Sequence, residues 1–213
     1  MDTLLVVVVL TNLWLLGSGR IGASINAAAA QGVVLGVLAV LIEEGRLGVP
    51  LVAFAVLSGV MKGVVFPWLL RRAQRVAGVN REIEPLVGYT VSVLAGVAAL
   101  GIAMRLSARL PLPAPAPSAL MVPVALFTLF SGLFLIVSRK KAITQVTGYL
   151  VMENGIYTLG MAIAREEPFL VQLGVLLDLF VGVFVMGIAI FHISREFDHI
   201  DTDQLSALKD TQS

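Results

Sequence analysis

Apolar runs of roughly 20 residues, the length a helix needs to cross a hydrocarbon core of about 30 Å, recur along this 213-residue chain. Inside a bilayer such runs satisfy their backbone polar groups by closing on themselves as helices. Seven runs are read: Leu4 to Leu16 with its flanks, Ser24 to Ile42, Val49 to Leu70, Leu86 to Leu106, Ala119 to Val137, Ala142 to Ala164, and Phe169 to Ile193. The expected fold is all-α, a polytopic transmembrane bundle of about seven helices. Composition agrees, with 58% hydrophobic and 14% charged residues, where soluble domains carry about a quarter charged. Only Met1 and Asp2 precede the first run, with no basic residue, so a retained first helix is expected rather than a cleaved signal peptide.

The charges between the runs report orientation, because short Lys- and Arg-rich loops normally face the cytoplasm. Arg20 follows the first run, Arg71, Arg72, Arg75 and Arg81 the third, and Arg139, Lys140 and Lys141 the fifth. One topology puts all three groups inside. It leaves Glu43 with Glu44, the PLPAPAPS stretch, and Glu166 with Glu167 outside. The N-terminus is then outside, the C-terminus inside, and the chain a multi-pass protein of the cell inner (cytoplasmic) membrane. The proline-rich stretch cannot continue a helix. It divides the chain into helices one to four (1–110), the loop itself (111–118), a three-helix unit (119–194) and a cytoplasmic tail (195–213). Pro50 and Pro168 stand almost as far apart as Arg20 and Arg139, the spacing expected of two parallel three-helix repeats, although apolar helices of similar length also align by chance.

Several function classes drop out. There is no cysteine, so thiolates cannot hold an iron–sulfur cluster, and the two histidines lie outside any ligand-spaced grouping. No cofactor is expected in this chain. The net charge of +1 is split among short clusters, which gives no sign of nucleic-acid binding.

Two carboxylates sit inside membrane-length runs: Glu153 in GYLVMENGIYTLG and Asp178 in VQLGVLLDLFVGVFVMGIAIF. An acid at bilayer depth costs about 2.5–3.5 kcal/mol on the insertion scale, and such residues typically mark ion or proton pathways. Gln145, Tyr149, Glu153 and Tyr157 recur every four residues on the sixth run, with Asn154 beside them, so they form one helix stripe that should face protein or water. Gly174, Asp178 and Gly182 share the same spacing on the seventh run, and small residues around an acid let a neighbouring helix approach. The third run adds Ser58 and Lys62, the lysine set between Gly59 and Gly63. One of the acids can neutralise it. Burial disfavours each charge and an opposite neighbour favours it, the competition a proton relay uses. A fixed ion pair gluing helices, or a neutral acid bonded to a carbonyl, is the structural alternative. Elsewhere, Glu82 and Glu84 read as helix N-terminal acids ahead of Pro85, Asn26 and Gln31 as hydrogen-bonding residues between helices, His192 as interfacial, and Trp14 and Trp68 as interfacial anchors.

The last three runs resemble a known family. A basic turn leads into an acidic helix, SRKKAITQVTGYLVMENG; an acid-bearing helix follows, LLDLFVGVFVMGIAIFHI; and the chain closes with IDTDQLSALKD. This order is similar to the K subunit of NADH dehydrogenase, also called chain 4L, and to its small relative in Mrp-type cation/proton antiporters. With its longer N-terminal region the chain resembles most the hydrogenase-4 component E family of membrane-bound hydrogenases and related complexes. In the K subunit the first acid follows a glycine by two positions. Here that place is Leu150, and Glu153 comes three residues later on about the same helix face. Asp178 falls at the second acid's position and is one methylene shorter. Lys62 lies outside the region of resemblance, roughly Ala119 to Ser213.

The resemblance implies a membrane-arm subunit of an energy-converting oxidoreductase complex, without catalysis of its own, beside antiporter-like subunits and a hydrogenase or quinone-linked module. On this reading Glu153, Asp178 and Lys62 relay protons, while Gln145, Tyr149, Asn154 and Tyr157 hold bridging waters. The alternatives are a structural scaffold subunit of such a complex and a subunit of a cation/proton antiporter. A free-standing transporter fits less well, because its repeats are usually inverted.

Overall fold

The first apolar run folds as α1, Asp2–Gly17, and the second as α2, Ile21–Ile42. The computed structural model describes residues 1–42, 56–76, 78, 81, 85–111, 116–163 and 182. The third run, α3, is helical over residues 56–60, passes through a π-turn at Met61–Val65, and continues as Phe66–Val76. Then come α4, Tyr89–Ser107, α5, Met121–Ser138, and α6, Ala142–Ile163. Six helices therefore stand among the described residues where seven runs were read. The seventh run, Glu43, Glu44, Pro50, Glu82, Glu84, Glu166, Glu167, Pro168, Asp178, His192 and the tail lie outside the described residues. Gly182 alone of the seventh run is described; it is helical and buried, and a Cβ there would lie 2.6 Å from Cζ of Phe66 on α3. A lone antiparallel bridge between Arg20 and Arg81 is the extended pairing among the described residues.

Pro67 explains the π-turn. It has no N–H to offer the carbonyl four residues back, and its ring crowds that carbonyl. A turn widened to i→i+5 relieves the conflict, and the Phe66 N–H bonds to Met61 O across it. Beyond Pro67 the helix runs past the apolar residues into the basic cluster, so Arg71, Arg72 and Arg75 are helical rather than loop residues. Ala, Gln and Arg are good helix formers. Leu70 and Ala73 face inward while the three arginines are exposed, the amphipathic pattern of a helix end at a polar boundary.

Among the described residues three helices, α2, α4 and α5, are long and apolar enough to cross a membrane. They differ in place. Two thirds of the residues of α5 are buried within the protein (67%), against 17% along the apolar stretch of α4, so α5 is central and α4 peripheral. The helices pack around this centre: α1 touches α2, α4 and α5, while α2 lies between α1, α3 and α6. The closest pair is α5 with α6. A Cβ on Gly132 would meet the backbone of Met152, one on Gly148 would lie 3.0 Å from Gly132 O, and one on Gly155 would meet the backbone of Leu129. Bare glycines thus bring the two backbones into contact, the dispersion-driven packing that membrane helices rely on.

The sequence groups Arg139 with Lys140 and Lys141 as one loop cluster, and the structure separates them. Lys140 and Lys141 are exposed, but Arg139 is fully buried. Its Nη2 donates to Leu16 O at 2.7 Å and its Nη1 to Val87 O at 3.4 Å, and its guanidinium lies 4.7 Å from the centre of the Tyr89 ring. It thereby satisfies a carbonyl left open at the end of α1. Arg139→Met removes both bonds and the stack. The expected loss is roughly 2–3 kcal/mol, read as a lower thermal midpoint of the protein.

Candidate functional site

Lys62 and Glu153, singled out in sequence on separate helices, meet in the interior. Lys62 Nζ lies 2.7 Å from Glu153 Oε1, with side chains 8% and 2% exposed. The lysine sits in the π-turn of α3, and α2 gives way to it at a glycine: a Cβ on Gly32 would fall 2.7 Å from Lys62 Cβ and 3.7 Å from its Cδ. Gly63 lets the same turn close onto Val33. On α6, Tyr157 stands one turn beyond Glu153, with its ring centre 4.7 Å from Lys62 Nζ, within range of a cation–π contact. The ammonium therefore touches a carboxylate and an aromatic face together. Desolvating two charges is costly, and their mutual attraction offsets it only when both are well placed.

The pair lies at a polar level between apolar layers. On one side Leu5, Val8, Leu35, Phe127 and Met161 belong to a common cluster; on the other Leu15, Leu16, Ala28, Leu135 and Val151 pack together. Between these layers lie Asn12 on α1, Gln31 on α2, Thr128 and Ser131 on α5, and Glu153, Asn154 and Thr158 on α6, all buried. A helical protein in hydrocarbon has no water to serve such groups, so each must find protein partners or internal water.

The expected stripe on α6 is divided. Glu153 and Asn154 are buried, and Tyr149 and Tyr157 half-buried. Gln145 points to the α5–α6 turn, where its Nε2 donates to Arg139 O at 2.9 Å. Thus Lys62, Glu153 and Tyr157 converge, Gln145 serves the turn, and Asp178 lies outside the described residues. Ser58, one turn before Lys62, is buried. Asn26 accepts a bond from Arg71 Nη2 at 2.5 Å, joining α2 to α3. Trp14 and Trp68 are both exposed, with the Arg72 guanidinium 5.8 Å from the centre of the Trp68 ring. Among the described residues, no three acids or histidines gather as metal ligands.

A second polar group was only partly read in the sequence: Gln31 was expected to hydrogen-bond between helices and does, but Thr11, Asn12 and Thr128 were not singled out. Gln31 Nε2 donates to Asn12 Oδ1 and to Thr11 Oγ1, both at 2.8 Å, and Asn12 Nδ2 donates to Thr128 Oγ1 at 2.8 Å. The adjacent Thr11 and Asn12 inside an apolar run were the available signal. Their partner on α5 lies more than a hundred residues away, which no local pattern reveals.

Fold and site define a polytopic helical membrane protein with an ion pair in its interior. Comparison with known proteins narrows the class. Residues 119–210 match the family model of NADH-ubiquinone/plastoquinone oxidoreductase chain 4L. Protein Rv0085 of Mycobacterium tuberculosis is 30% identical over 191 residues, spanning 88% of this chain and 86% of that one. Hydrogenase-4 component E of Escherichia coli K12 is 35% identical over 101 residues, 47% of this chain and 46% of its own length; the Shigella flexneri protein of that name gives the same values. No solved structure matches. The chain belongs to the hydrogenase-4 component E family, related through its C-terminal part to chain 4L.

Proposed function

We propose that this protein is a non-catalytic subunit that relays protons through the membrane part of an energy-converting oxidoreductase complex, with Glu153, Asp178 and Lys62 as the titrating groups. Family membership supports the coarser part, a membrane subunit of an oxidoreductase complex. The observation that carries the finer part is the buried pair of Lys62 and Glu153 at 2.7 Å, with Tyr157 against the ammonium. A proton passed between such partners leaves no naked charge in the low-dielectric interior. Each charge carried across 100 mV is worth about 2.3 kcal/mol, so one relayed proton is already useful coupling. The orientation with N-terminus outside and C-terminus inside, the cytoplasmic-membrane location, and antiporter-like subunits beside a hydrogenase or quinone-linked module belong to the same reading.

Glu153→Gln combined with Asp178→Asn and with Lys62→Met, which keeps the interior free of an unpaired charge, is expected to leave the complex assembled and to abolish proton translocation, measured in inverted membrane vesicles with electron transfer followed in parallel. Unchanged translocation in the assembled triple variant would sink the relay. The scaffold reading also draws on the short ion pair, which ties α3 to α6; it expects the same variant to fail in assembly.

A further inference from the structure

We infer that Gln31, held by Asn12 and Thr128, is a positioning residue that sets the rotation of α2 and thereby places Lys62 opposite Glu153. Its bearing on proton transfer rests on the relay reading above, whereas its structural content does not.

The sequence of α2, IGASINAAAAQGVVLGVLAVLI, is apolar or small on nearly every side. Apolar packing alone distinguishes poorly between rotations of such a helix, since alanine, glycine and valine faces bury similar surface and dispersion is non-directional. Hydrogen bonds are directional, and the buried side-chain bonds that tie α2 to α1 come through Gln31. Its amide reaches Thr11 and Asn12 on α1, and Asn12 carries the connection to Thr128 on α5.

The direction of every bond in this chain is determined. Thr11 Oγ1 donates to Val8 O at 2.8 Å and Thr128 Oγ1 to Val124 O at 2.7 Å. Each threonine hydroxyl has then committed its only proton to its own helix and can only accept. Asn12 must turn its NH2 to Thr128, which leaves Oδ1 for Gln31, and Gln31 must turn its NH2 to both Asn12 and Thr11. One arrangement makes all of these bonds, and it leaves Gln31 Oε1 buried without a hydrogen-bond partner among the described residues. Gln31 is 1% exposed, Asn12 0% and Thr128 1%, so water offers no competing arrangement from outside.

Gly32 is the next residue. Successive side chains on a helix point about 100° apart, so fixing Gln31 toward α1 fixes where the bare face of Gly32 looks. Lys62 enters there, with its Cβ and Cδ at 2.7 and 3.7 Å from where a Gly32 Cβ would be. A turn of α2 by one residue in either direction would present Gln31 or Val33 to Lys62, and either side chain would block the approach. The neutral chain on one side of α2 and the ion pair on the other are thus coupled through the helix backbone.

A double-mutant cycle on the full protein tests this. Thermal stability is measured for the wild type, Gln31→Leu, the pair-free variant Lys62→Met with Glu153→Gln, and their combination. If Gln31 positions the pair, Gln31→Leu lowers the melting temperature markedly in the wild type and clearly less once the pair is gone. If it contributes only its own bonds, the two effects add, and an additive cycle overturns the inference. Should Gln31→Leu fail to accumulate, Thr128→Val removes the far acceptor at nearly equal volume and carries the same cycle. In the assembled complex Gln31→Leu should also slow translocation several-fold. Gln31→Glu should restore it in part, because a neutral carboxyl can donate to Asn12 but has no second proton for Thr11. Loss of translocation in the Glu153 variant decides the relay, and the stability cycle decides the positioning even where the relay fails.

Discussion

Lys62→Met is expected to destabilise the protein by about 3–5 kcal/mol, because it removes one member of a buried ion pair and leaves the other without its counter-charge. Glu153 is almost wholly enclosed, with 2% of its side chain exposed and the lysine ammonium 2.7 Å from Oε1. Methionine fills the space of the lysine stem, so packing against Gly32 survives and the loss is electrostatic. Restoring neutrality with Glu153→Gln in the same chain should recover most of the stability, since a neutral isosteric pair no longer carries the cost of two desolvated charges. The measurement is the thermal midpoint of the purified protein for both single variants and the double. Single variants as stable as the wild type would mean that the two groups do not form a pair in the protein. The double variant also separates the two functional readings, because a stable, assembled, non-conducting protein fits a relay and not a scaffold.

Gly155→Val is the second large effect. A Cβ at this position would meet Leu129 N and would lie 2.8 Å from Leu129 Cα and 2.9 Å from Ala125 O. These are backbone atoms of α5, which no side-chain rotation can move aside. Overpacking a core commonly costs about 1–3 kcal/mol, and a clash with backbone belongs at or beyond the upper end of that range. Gly132→Val should behave alike, since its Cβ would lie 2.6 Å from Met152 Cβ and touch the Met152 backbone. Both variants are expected to deplete the protein from membranes. Gly101→Ala on α4, where nothing lies within 4 Å, should be tolerated. Equal accumulation of all three would contradict the direct α5–α6 backbone contact.

The class of the protein was legible because hydropathy is a local quantity. The described runs appear as helices with ends shifted by a few residues: Leu4 to Leu16 became Asp2–Gly17, and Ala142 to Ala164 became Ala142–Ile163. Polar residues in apolar runs were equally visible, since their cost in a bilayer makes each one conspicuous. Glu153 and Lys62 were found in this way, Lys62 without help from the family resemblance. The same reasoning grouped Arg139 with Lys140 and Lys141 as one cytoplasmic loop cluster, but only the two lysines are exposed, because sequence adjacency carries no information about burial.

Helix rotation and partner choice were not legible. In a soluble helix the apolar stripe announces the buried face, but α1, α2 and α4 are apolar nearly all round, so periodicity says little about which side turns inward. The sequence by itself determined that this chain is a helical membrane protein, where its described helices lie to within a few residues, and that Lys62 and Glu153 need an explanation. Only the tertiary structure decided that Lys62 meets Glu153 through the opening at Gly32, that Arg139 closes the end of α1, and that Asn12 joins Gln31 to Thr128. Those outcomes depend on which backbones approach closely and how each helix is turned, and both follow from contacts between residues far apart in the chain.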